Sequence, residues 1–186
     1  MDALELLLSR DSALKLESPG PTDEELDQIF ASANRAPDHG RLRPWRFLVI
    51  PTERRARLGE LMADAMKRRE PTATAEALQR EREKPLRAPV IVVASARIQK
   101  GHRIPEVEQF AAASAAVQSI MLAAPATGFG AMWKTGDPAY DPWFKEAIGL
   151  PAEDDIIGFI YLGTRAGGVS PAPRPAPRDH VAVWQG

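Results

Sequence analysis

The sequence predicts an α+β sandwich with helices on both sides of a mixed sheet. Three observations predict it. Residues 89–94 and 156–163 are apolar, β-branched runs with the length of buried strands; a long alanine-rich helix lies between them; and amphipathic helical segments flank strand-like stretches without strict one-to-one alternation. A chain of 186 residues with 44% hydrophobic content buries about 70% of its unfolded surface, which fits a single domain, residues 1–186.

Residues 2–9 are rich in Leu and Glu and read as a short helix. The polar stretch Arg10-Asp11-Ser12 interrupts it before Pro19-Gly20-Pro21 turns the chain. Thr22 and Glu25 have capping-box spacing, and Leu26, Ile29, Phe30 and Ala33 then repeat along one helical face, with Pro37 beyond the end. Trp45–Ile50, bracketed by Pro44 and Pro51, is short and rich in strand formers. From Thr52 to about Glu70 a helix carries Leu58, Leu61, Met62, Ala65 and Met66 on one face; residues 72–84 form a weaker, mostly charged helix expected on the surface.

Residues 89–94 suit a strand buried on both faces. The alanine-rich helix follows, with Val107, Phe110, Ala111 and Met121 on one face and Ser114 and Gln118 between them; most of its remaining circumference is small or apolar, which places it in a core or a subunit interface. Pro125 is expected to kink or end it, and Gly128-Phe129-Gly130 leads into a strand at residues 131–133. Asp141 and Pro142 read as N-cap and first residue of a short helix closing at Gly149. A further buried strand spans residues 156–163, and the Pro-, Ala- and Arg-rich stretch 168–178 suits an extended arm.

Composition excludes several classes of function. The 24 basic and 25 acidic side chains nearly cancel, so no global field gathers nucleic acid or an anionic membrane. Cysteine is absent, which removes disulfides, thiolate nucleophiles and iron–sulfur clusters, so any redox chemistry needs a borrowed cofactor. The acidic start fits neither a secretory signal nor a transit peptide, and no apolar run is read as membrane-spanning; a cytoplasmic protein is expected.

Three polar clusters fall at the ends of apolar elements, where scaffolds present ligand-binding groups. Arg10-Asp11-Ser12 offers a planar fork of donors and a hydroxyl suited to a phosphate or ribityl chain, although by itself the cluster reads first as an ordinary helix end. Residues 35–45 form a proline-stiffened loop with Arg35, His39, Arg41 and Arg43 that ends at Trp45; His39 suits either a ligand contact or a structural hydrogen bond, and the basic run with its aromatic also admits RNA stacking. Trp133-Lys134-Thr135 sets an aromatic plane, an ammonium and a hydroxyl after a strand, as would flank a flat ring system, or as one core Trp at a strand end would appear. Gly128-x-Gly130 precedes a strand instead of following one and is no dinucleotide fingerprint, and Glu106 and Glu108 do not share a helix face for a metal. No metal site is expected.

These pieces, in order, resemble the nitroreductase family and specifically its short, YdjA-like branch. The matching residues are Arg10-x-Ser12, Arg35-Ala36-Pro37-Asp38-His39, Pro44-Trp45-Arg46-Phe47, the alanine-rich helix running into Gly128-Phe129-Gly130, Trp133, and Gly158-Phe159-Ile160-Tyr161-Leu162-Gly163-Thr164. The resemblance implies a three-layer α-β-α sandwich, an intertwined homodimer with FMN at the subunit interface, and hydride transfer from NAD(P)H to a small oxidised acceptor such as a nitroaromatic. It further implies that Arg10, Asp11 and Ser12 contact FMN, that Arg35 and His39 complete the site from the other subunit, and that Trp133, Lys134 and Thr135 line the flavin. The segment Ala123, Ala124, Pro125, Ala126, Thr127 and Gly128 would touch the nicotinamide cofactor. Asp11 departs from the family pattern, in which a second basic residue is usual, and an acid there repels a phosphate unless it points away. Arg43 stands where a Gln is frequent. The rival functions are a non-catalytic FMN-binding protein on the same fold, a flavin enzyme acting on an enone or quinone, and an RNA-binding module.

Overall fold

The computed structural model describes residues 2–168 and 173–186. In chain order the elements are α1 (Ala3–Ser9), β1 (Leu16–Glu17), α2 (Asp23–Ala33), β2 (Trp45–Ile50), α3 (Arg55–Arg69), α4 (Ala75–Glu83), β3 (Val90–Ala96), α5 (Glu106–Ala126), β4 (Gly130–Lys134), α6 (Pro142–Ala147) and β5 (Asp155–Arg165). The α+β sandwich expected from the sequence is the fold found. β3 and β5 form the middle of the sheet, because their side chains are apolar or small enough to be covered on both faces. β2 flanks β3, and β4 and the two-residue β1 pair with β5.

The four pairings among the described residues are all antiparallel, where a mixed sheet was expected. The physical reason is the place of the last strand. The α5 crossover sets β4 parallel to β3, but β5 inserts between them and runs against both. A register shift between Ala94 and Ser95 leaves Ile157 as an extra residue on β5, so that Ile157 packs on one face of the sheet and Ile156 on the other.

The two faces carry two cores. Val90, Val92, Ala94, Ile160 and Leu162 pack under α2 and α5, while Ile91, Val93, Phe159 and Tyr161 pack under α3 and α6. α2 begins with the expected capping box: the Glu25 amide donates to Thr22 Oγ1 at 3.3 Å and the Thr22 amide donates to Glu25 Oε2 at 2.8 Å. α6 is capped by Asp141, whose Oδ1 accepts from the Phe144 amide at 3.2 Å and whose Oδ2 accepts from Arg69 at 2.8 Å. α4 is less peripheral than its charge suggested. Gly59 of α3 lies against it so closely that a Cβ there would stand 2.3 Å from the Arg82 carbonyl oxygen, and Glu81 is buried beside Lys84.

α5 runs through Pro125 and ends one residue later, at Ala126. The proline costs the ladder one donor only; Thr127 N–H still reaches the Ala123 carbonyl at 2.9 Å and Phe129 N–H the Ala124 carbonyl at 2.8 Å, so the turn closes around it. By length and composition α5 is apolar enough to cross a membrane, contrary to the sequence reading. Its apolar circumference is used here against α2 and the sheet, with Ala112, Ala116, Val117, Ile120 and Ala124 buried. Of the expected C-terminal arm, residues 169–172 lie outside the described residues, and a 3₁₀ turn at Pro177–His180 interrupts the rest.

Candidate functional site

The segment after α1 is drawn against β4. The Ala13 amide donates to the Ala131 carbonyl at 2.9 Å, and Gly130 makes the approach possible, since a Cβ there would stand 2.8 Å from the Ala13 Cβ and 2.7 Å from Leu16 Cδ2. Arg10 and Ser12 are thereby held beside the end of β4. Asp11 turns the other way and pairs with both guanidinium nitrogens of Arg165, with Nη1 at 3.0 Å from its Oδ2. The acid that departs from the family pattern is thus neutralised outside the site.

At the end of β4, Trp133 is seated across β5. Its indole Nε1 donates to the Ile157 carbonyl at 3.1 Å, over Gly158, where a Cβ would stand 2.2 Å from that nitrogen. The glycine of the Gly158-Phe159 segment is therefore a seat for the tryptophan. α5 contributes Gln118 and Met121 from the far wall. Together Arg10, Ser12, Gln118, Met121, Trp133, Lys134 and Thr135 line an open cavity of about 440 Å³. That volume falls in the range of small-molecule and cofactor sites, about 300–1,000 Å³.

The lining has a guanidinium, an ammonium, two hydroxyls, an amide and an indole, and no carboxylate. Such a surface binds an anion and a flat ring together. Five of the residues singled out in the sequence meet there. Gln118 and Met121 were missed as candidates, although Gln118, polar on an apolar helix, was the signal available.

The remaining candidates lie elsewhere in the single chain. Arg35 is exposed at the end of α2. His39 Nδ1 lies 2.6 Å from Glu108 Oε2, both partly exposed, so Glu108 is occupied by a histidine and His102 accepts from the Ile104 amide at 3.0 Å. Among the described residues no group of three or more His, Cys, Asp or Glu side chains is arranged to hold a metal. The loop carrying Arg35 and His39 is stiff: Asp38 Oδ2 accepts from the Arg43 amide at 2.7 Å, Asn34 accepts from the Trp45 indole at 2.9 Å, and Arg41 and Arg43 hold φ of 57° and 48°. The segment from Ala123 to Gly128 does not line the cavity. Ala124 is wholly buried, and the Thr127 hydroxyl donates back to the carbonyls of Ala123 and Ala124.

Comparison with known proteins places this architecture. The family model described as Nitroreductase family matches residues 7–164. The chain is 40% identical over 169 residues to an Escherichia coli (strain K12) protein named "Putative NAD(P)H nitroreductase YdjA", covering 88% of each chain, and 36% identical to a Haemophilus influenzae protein named "Putative NAD(P)H nitroreductase", covering 88% of this chain and 89% of that one. Among solved structures it superposes on a nitroreductase-like family protein from Bacillus cereus with a TM-score of 0.86 at 22% identity, covering 100% of this chain and 97% of that one. It also superposes on a Desulfovibrio desulfuricans protein described as "a putative nitroreductase in complex with fmn", with a TM-score of 0.76 at 24% identity and 98% of each chain covered. The match reaches from the end of α1 to the end of β5 and so takes in both walls of the cavity as well as the sheet that joins them: the chain belongs to the nitroreductase family.

Proposed function

We propose that this chain is an FMN-dependent oxidoreductase that takes hydride from NAD(P)H and passes it to a small oxidised acceptor such as a nitroaromatic. The observation that carries the reading is the cavity lining, in which Arg10 and Ser12 are juxtaposed with Trp133, Lys134 and Thr135 while Asp11 is withdrawn to Arg165. That donor set fits FMN: a phosphate and ribityl chain need a fork and a hydroxyl, and a flat ring with acceptor atoms needs an aromatic wall and a cation. FMN, when bound, supplies the hydride chemistry. The protein's part is to bind, orient and exclude. Arg10 and Ser12 hold the phosphate end, Trp133 and Met121 wall the ring, and the Lys134 ammonium sits where negative charge is stabilised.

A second copy of the chain completes the site. α1 carries four leucines and no buried residue, with Leu4, Leu7 and Leu8 each more than half exposed, and Val107 and Phe110 are exposed on the first half of α5. Apolar surface of this kind calls for a partner, and a homodimer covers it with one self-complementary patch. Arg35 and His39, on their stiff loop, reach the cofactor from that second subunit, and residues 123–128 lie toward the nicotinamide. The test is an absorbance spectrum of the purified protein, followed by anaerobic addition of NADPH and then NADH. A flavin band that bleaches supports the reading; a band that never bleaches favours a flavin-binding protein without activity; protein that stays colourless after added FMN overturns both.

Asp11→Asn separates fold from cofactor binding. It removes the charge that holds Arg165, whose side chain is 26% exposed, and is expected to lower stability by about 1–2 kcal/mol. FMN affinity is expected to change by less than roughly threefold, since the carboxylate faces away from the cavity. Thermal denaturation and a flavin fluorescence titration check the two halves, and a tenfold loss of FMN affinity would place Asp11 in the site after all.

A further inference from the structure

Lys134 and Thr135 line a second cavity, of about 200 Å³, on the α3 side of the sheet. Its other walls are Met62, Lys84, Arg87, Gly136, Pro138, Phe159 and Tyr161. Tyr161 is 4% exposed and borders this space, and its hydroxyl is not one of the fully buried orphan oxygens, which among the described residues are those of Glu81, Ser95 and Asp154. A phenol whose ring is buried and whose oxygen is free of such confinement offers a donor to whatever enters the cavity beside it. The charges that line the cavity are cationic, although Glu81 also acts on the phenol. Lys84 is paired with Glu81 at 2.5 Å, but Arg87 and Lys134 have no carboxylate within ion-pair distance among the described residues, and no acid lines the cavity.

We propose that this second cavity is a binding site for a small oxyanion, a carboxylate or a phosphate, held by Arg87, Lys134 and the hydroxyl of Tyr161. The size suits such a group: it equals six or seven waters at ~30 Å³ each, below the ~300 Å³ at which drug-sized ligands begin. The chemistry suits it as well. Arg87 offers a planar fork, Lys134 a point charge, and burial pushes the Tyr161 phenol up to about 12, so its oxygen keeps a proton to donate throughout the neutral range. Met62, Pro138 and Phe159 supply an apolar wall on which such bonds are worth more than in water. Lys134 borders both cavities, so this site abuts the one assigned to FMN; where FMN engages the Lys134 ammonium, Arg87 and the Tyr161 hydroxyl hold the anion, and the anion site does not depend on that assignment.

The experiment is calorimetric titration of the FMN-loaded protein, at constant ionic strength, with sodium phosphate and separately with sodium acetate. Saturable binding of one anion per chain is expected, weakened roughly tenfold by Tyr161→Phe and by Arg87→Gln, with flavin content unchanged in both. Tighter phosphate marks an inorganic anion or a phosphoryl group as the ligand, and tighter acetate marks the acid group of an organic one. No saturable binding of either anion, or binding that neither substitution weakens, overturns the proposal. Should the purified protein take up no FMN, the same titration on Arg10→Ala distinguishes the failures. Phosphate binding lost with Arg10→Ala and kept with Tyr161→Phe belongs to the first cavity and overturns the second site, whereas the reverse pattern upholds it.

Discussion

Arg10→Ala is expected to weaken FMN binding by roughly 10- to 100-fold, the worth of hydrogen bonds to a charged group at about 1.5–3 kcal/mol. The fold is expected to survive. Arg10 follows α1, and the interaction that its own atoms make with a distant segment is through its carbonyl, which accepts from Arg174 Nη2 at 2.9 Å and is untouched by the substitution. Arg10→Lys should recover only part of the loss, because a point charge does not reproduce the planar fork. Titration of the FMN-free protein, followed by quenching of flavin fluorescence, measures it. An affinity unchanged by Arg10→Ala would remove the phosphate end of the cofactor from this cavity and, with it, the orientation in which Trp133 and Lys134 meet the ring.

Phe144→Ala is expected to have the largest effect on stability, about 3–5 kcal/mol. Phe144 is 0% exposed and meets Phe159 edge-on with centroids 6.1 Å apart, within the core that also holds Leu58, Met62 and Ala139. Truncation leaves a cavity that α6 is poorly placed to fill, since Asp141 pins its first turn to the Phe144 amide and to Arg69. At fixed protein and FMN concentration the midpoint of thermal unfolding should fall by roughly 6–20 °C for a chain of this size. The flavin spectrum at low temperature should not change, because Phe144 lies on the opposite face of the sheet from the first cavity. A loss under 1 kcal/mol would mean that the α3–α6 layer carries little of the stability.

Local structure was legible wherever it has a local cause. Pro44 and Pro51 have no N–H to donate to the ladder and bracket β2 at Trp45–Ile50, where the pattern put it. Thr22 and Glu25 cap α2, and Asp141 with Pro142 opens α6, because each satisfies amide groups within three residues. β1 was not legible. Two residues have no periodicity, and Leu16 and Glu17 are a strand only because Arg165 and Thr164 lie opposite them.

Of the residues that line the candidate cavity, Arg10, Ser12, Trp133, Lys134 and Thr135 were singled out in the sequence, since their residue types carry chemistry at element ends. Gln118 and Met121 belong to it only because α5 passes beside the end of β4. The same distance hid the fate of Asp11. Its partner Arg165 is 154 positions away, and no feature near residue 11 indicates which way the carboxylate turns.

The sequence by itself determined the α+β class, the strands other than β1, the caps of α2 and α6, and the family, because periodicity, proline placement and capping chemistry act over a few residues and an ordered set of motifs survives in the chain. Only the tertiary structure decided that β5 lies between β3 and β4, that α5 passes through Pro125 and that Asp11 leaves the cavity. Each of these is settled by which distant surfaces bury one another, and burial is a property of the whole packed chain.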